Sequence, residues 1–125
     1  MQTLVRSTVA PQRDRVSIPA DVRTAIRLGS LADAQAMLDA IDEDSTNAEW
    51  LNLQGVIHER QQRWKLAHKF YSKAIRADRR YEPAERNLRR LYELYTFGRC
   101  DELVDLGDEN WALLKLLRMR HAGDV

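Results

Sequence analysis

The chain has 125 residues, a formal net charge of +1 and 31% charged residues, enough for one domain and without an overall charge that points to nucleic acid or a membrane surface. Hydrophobic residues make up 44%, which excludes whole-chain disorder, and five glycines and three prolines are too few for the many turns of an all-β fold. Cys100 is the only cysteine, which excludes an internal disulfide or a thiolate cluster.

The start of the chain, MQTLVRSTVAPQRDR, lacks the apolar run of a signal peptide, and no segment approaches the roughly 20 apolar residues of a membrane span. The expectation is a soluble, cytoplasmic protein. Residues 1–16 show no helical period and are read as an N-terminal arm. Ser17 followed by Pro19 predicts a helix start, and Val22, Ala25, Ile26 and Leu28 mark one face. Gly29 ends that helix where a left-handed backbone is needed. A second helix is predicted from about Leu31 to Ile41, with Leu31, Ala34, Leu38 and Ile41 on one stripe. A polar connector follows, in which Thr46 and Glu49 have the spacing of a capping box.

The central stretch, Ala48 to Asp78, reads as two amphipathic helices joined at Gln61-Gln62-Arg63. Trp50, Leu51, Leu53, Val56 and Ile57 make the first of them apolar on more than one side, as a helix between two neighbours requires. Gly55 lets the paired helix approach closely, with Ala67 and Ala74 expected as the small surfaces that receive it and Trp64, Phe70, Tyr71 and Ile75 filling the rest. Tyr81-Glu82-Pro83 starts a third first-helix carrying Ala84, Leu88, Leu91, Tyr92 and Tyr95, which Gly98 stops. Leu103 to Leu106 then stands where a partner helix belongs, and Gly107 interrupts it. Asp108 is read as the cap of a last helix reaching about His121, before a short tail at 122–125. In that helix Trp111, Leu113, Leu114, Leu116 and Leu117 fall all around the circumference, which predicts an interface with a second copy or a larger partner.

The spacing of Gly55, Ala67, Tyr71 and Ala74 resembles the tetratricopeptide repeat, a helix-turn-helix unit of 34 residues. Stepping back 33 residues from Ala67, Tyr71 and Ala74 gives Ala34, Leu38 and Ile41, which match in kind. Trp50 stands one residue early for the family's tryptophan, Gln62 replaces the turn glycine, and Arg79 replaces the usual proline. The resemblance implies an all-α fold of antiparallel helix-turn-helix repeats stacked as a short right-handed superhelix. Its repeats would cover 17–47, 48–81 and a degenerate 82–107, with a C-terminal capping helix over 108–121.

No catalytic residue, metal site or cofactor is predicted. His58 and His68 fall on different helices without a carboxylate pattern, Cys100 has no histidine partner in a known motif, and the glycines are isolated. The resemblance implies instead that first helices line a concave surface. The inward positions hold Arg23 and Arg27, then Asn52, Val56 and Arg60, then Arg86 and Arg90. Guanidinium groups bind carboxylates in forked pairs, so the expected function is a non-enzymatic adaptor, assembly factor or co-chaperone that holds a peptide or helix of another protein, an acidic one above all. The positions at which the family places its chaperone-tail clamp hold Pro19, Arg23, Leu53, Pro83 and Asn87, so that clamp is not reproduced. The alternative is a nucleic-acid-binding accessory protein using the basic cluster Arg76, Arg79, Arg80, Arg86, Arg89 and Arg90, with Trp64 and Tyr81 as stacking groups. Asp78, Glu82 and Glu85 interleave with that cluster and weigh against it.

Overall fold

A computed structural model describes residues 18–41, 47–100, 102–108 and residue 116. The described residues are all-helical: α1 (Ala20–Arg27), α2 (Leu31–Ala40), α3 (Ala48–Arg60), α4 (Trp64–Ala77) and α5 (Glu82–Phe97), with no strand among them. The arm, the cap at Ser17, the capping box at Thr46 and the expected interface residues Trp111, Leu113, Leu114 and Leu117 lie outside the described residues. Leu116 of that segment is exposed.

Two of the connections are three-residue turns built the same way. After α1, the Gly29 N–H bonds Ile26 O and the Ser30 N–H bonds Ala25 O, with Gly29 at φ +83°. After α3, the Gln62 N–H bonds Glu59 O and the Arg63 N–H bonds His58 O, with Gln62 at φ +63°. Both satisfy the orphan carbonyls of a helix end, and both need one left-handed residue. Glycine meets that need without cost and glutamine does not, so the replacement of the turn glycine by Gln62 leaves the backbone strained there. The α3 start differs from expectation: Asn47 is the cap, its Oδ1 accepting the Trp50 N–H at 3.1 Å.

Helix α3 is the centre. It packs against α4 most extensively and also against α2 and α5, while α4 packs on α5. Trp50, Leu51, Leu53, Val56 and Ile57 are all buried, so α3 is surrounded as its pattern predicts. Each fully buried Leu, Ile or Val stabilises by about 1.5–3 kcal/mol. The Trp50 indole N–H also bonds Leu38 O at 3.1 Å, tying α3 to the end of α2. Ala34, Leu38, Ala67, Tyr71 and Ala74 have no exposed surface, and these positions answer one another in the 33-residue step.

Three packing expectations need correction. Gly55 faces the Tyr71 ring rather than Ala67 or Ala74: a Cβ there would sit 2.5 Å from Tyr71 Cε1. Leu28 is 76% exposed, because it follows the last turn of α1 instead of lying on its buried face. Trp64, Tyr92 and Tyr95 are exposed too, and they meet on one surface described below.

Candidate functional site

Helices α1, α3 and α5 present polar side chains to a common inner face, and residues 102–108 cross that face as a non-helical strap. Asn87 of α5 holds the strap through both main-chain groups of one residue, Asp105. Its Nδ2 donates to Asp105 O at 2.8 Å, and its Oδ1 accepts the Asp105 N–H at 2.8 Å. The second Nδ2 hydrogen goes to Asn52 Oδ1 at 2.8 Å, and Asn52 of α3 in turn donates to Asp105 O at 3.1 Å. Both asparagines are fully buried, and this ring leaves the Asn87 amide and the Asp105 peptide satisfied.

Charges complete the attachment. The Asp105 carboxylate, buried at 2% exposure, accepts from Arg86 Nη1 at 2.8 Å and from the Gly107 N–H at 2.9 Å. Arg23 of α1 donates Nε to Leu106 O at 2.7 Å and pairs with Glu49 through Nη2. Arg27 reaches Asp108 at 2.8 Å. The strap can lie this close because Gly107 has no side chain. A Cβ there would meet Tyr81 Oη at 2.1 Å, and φ at Gly107 is +83°. Burial, with Glu49 nearby, pushes the Tyr81 hydroxyl well above the usual tyrosine range.

Of the seven residues expected to line a groove, Arg23, Asn52 and Arg86 converge on the strap directly, and Arg27 pairs with its end. The other three have other attachments. Val56 is core. Arg60 donates to Ile26 O at 3.1 Å, a cation on the C-terminal end of α1. Arg90 is buried and pairs with Glu59, which also accepts the Tyr71 hydroxyl at 2.7 Å. Burial first, and then Glu59, raises the Tyr71 hydroxyl well above its ordinary value. The spacing did not point to Asn87, Asp105 or Gly107 as groove residues. The available signal was two asparagines 35 residues apart on successive first helices.

Half of the basic cluster stands opposite carboxylates. Arg90 is committed to Glu59, Arg86 to Asp105 and Glu82, and Arg89 lies 3.6 Å from Glu85, while Arg76, Arg79 and Arg80 are exposed. His58 stacks on Phe70, with centroids 5.3 Å apart, and burial together with Arg63 lowers its pKa below the usual histidine value. Among the described residues no three His, Cys, Asp or Glu side chains converge as metal ligands, and no helix is long and apolar enough to cross a membrane.

Comparison with protein-family models, with curated proteins and with solved structures found no match for this chain. The site has to be read from its own geometry.

A second surface contrasts with the inner face. Between α4 and α5 an apolar groove of about 1560 Å³ opens on the outside of the molecule. Trp64 and Leu66 of α4 and Leu88, Tyr92 and Tyr95 of α5 form its walls. Trp64 is 48% exposed, Tyr92 67% and Tyr95 90%, so its large side chains meet solvent.

Proposed function

We propose that this chain is a non-enzymatic, cytoplasmic protein-interaction module, an adaptor, assembly factor or co-chaperone, with its helical hairpins stacked in the tetratricopeptide manner. The inner face of that stack is the site, and an extended, acidic peptide is its ligand. One observation supports this reading above the rest: the face already holds an extended segment of such composition, Glu102 to Asp108. Asn52 and Asn87 grip its main chain, and Arg86 takes its carboxylate. Main-chain bonds supply affinity that any extended segment can use, and the guanidinium selects an acid at one position. The repeat arrangement draws support from the matched burial of Ala34 with Ala67 and Leu38 with Tyr71.

The test replaces residues 102–108 by glycine and serine and adds a synthetic peptide of sequence ELVDLGD in trans. The expected result is saturable binding that is lost with Arg86→Ala and with asparagine at the peptide's second acid. No binding by a variant whose circular dichroism remains helical would refute the reading. If the variant does not fold, hydrogen exchange on the intact chain decides. The Asp105 and Gly107 amides should then exchange by local opening, well before those of α3.

A further inference from the structure

The α4–α5 groove is separate from the inner face and does not depend on how that face is read. It exceeds the roughly 300–1,000 Å³ of small-molecule pockets, and its open, aromatic walls suit a rod rather than a compact ligand. The rod is a helix. Among the described residues α5 has no second helix to complete its hairpin, whereas α1 has α2 and α3 has α4. A further helix, about 10 Å across with its side chains, lies naturally against two neighbouring helices. Trp and Tyr are also the residue types that dominate binding energy at protein interfaces.

Charge then selects which helix. The groove is lined by Arg63, Lys65 and Arg89 against one carboxylate, Glu85, and Arg89 and Glu85 stand together at 3.6 Å. Arg63 and Lys65 have no ion pair among the described residues and flank the Trp64 end. The chain's own apolar segment, 109–121, carries Lys115, Arg118 and Arg120 against Glu109. In this groove it would set cations beside cations, whether it came from the same chain or from a second copy. We propose that the α4–α5 groove docks an amphipathic helix of a different protein, one whose apolar stripe is flanked by Asp or Glu.

The experiment uses the full chain and three fluorescein-labelled helical peptides. Two of about 14 residues share leucines at i, i+3, i+4 and i+7 and differ only in glutamate or lysine flanks. The third carries residues 109–121. The glutamate peptide should bind about tenfold or more tighter than the lysine peptide, and Arg63→Glu with Lys65→Glu should reverse that order. Tyr92→Ala with Tyr95→Ala should weaken the glutamate peptide about tenfold while thermal unfolding stays in place, since both side chains are exposed. Equal binding of the two flanked peptides, tightest binding by the 109–121 peptide, or no binding at all would overturn the proposal. So would a dimer in light scattering that the two tyrosine changes dissolve, because a second copy would then be the occupant.

Discussion

The inner face and the outer groove are both walled by α5, yet they solve opposite problems. Inside, Arg86, Asn87 and Arg90 meet partners supplied by the same chain, and Asn87 and Arg90 are buried. Outside, Tyr92 and Tyr95 of the same helix stand in solvent beside Leu88. Polar groups that are buried demand partners immediately, because each unpaired one costs about 1–3 kcal/mol. Exposed aromatic rings carry no such demand and can wait. One helix therefore carries a largely paired polar surface, in which the Arg90 Nε is left over, and an exposed apolar one.

Breaking the inner face should be costly. Arg90→Ala strands the buried Glu59 carboxylate, and a loss of about 3–5 kcal/mol is expected in chemical denaturation. Replacing Glu59 and Arg90 together by leucine should cost less, because no charge is then stranded and only the Tyr71 hydroxyl loses its acceptor. Asn87→Ala removes the grip on the strap and orphans the Asp105 N–H, so a loss of about 2–3 kcal/mol is expected, with faster hydrogen exchange confined to the strap. At the turn beneath the groove, Gln62→Gly should stabilise by about 0.5 kcal/mol, since the αL strain relieved exceeds the added chain entropy only slightly. His58 stacks on Phe70, away from the strap contacts and the groove wall. Its folded pKa is depressed, so the unfolded chain binds more protons below about pH 6.5. The stability it contributes is full above that pH and is lost as pH falls through the folded value. A melting series from pH 7.5 to 5 on wild type and His58→Gln isolates that slope, which should be shallower in the variant. The outer face closes the order: Tyr95→Ala should change stability by less than about 0.5 kcal/mol, measured by thermal melting.

The helices were legible because they obey a 3.6-residue period and because Gly29 and Gly98 punctuate it. Even the strained turn at Gln62 was readable, as a wrong residue in a glycine position. Of the inward positions read from the spacing, Arg23, Asn52 and Arg86 meet on the strap, whereas Val56, Arg60 and Arg90 do not. The strap itself was not legible. Residues 102–108 have no period, and their partners lie 18 to 83 residues away, so no window along the chain contains both halves of a contact. The contact opposite Gly55 was misjudged for a similar reason. Spacing shows which residues share a helix face, but whether Ala67 or the Tyr71 ring fills a gap depends on side-chain direction. Leu88, Tyr92 and Tyr95 looked like an ordinary buried stripe, and only their placement in space, with no further helix against them among the described residues, makes that stripe a groove wall.

The bond from Arg23 to Leu106 spans 83 residues, far beyond any contact within a helical hairpin. A stack of helical hairpins is close to one-dimensional: each unit touches its neighbours, and the ends can fray or form separately. Here the strap fastens α1, α3 and α5 at once, joining the first described helix to the last. The strap thereby adds contacts of long sequence separation to an otherwise local set of helix pairs. The helices should unfold in a single all-or-none transition, with only the strap opening locally before it. The chain should also refold more slowly than its local helical contacts alone would suggest, because those distant contacts close late and at a high entropic cost.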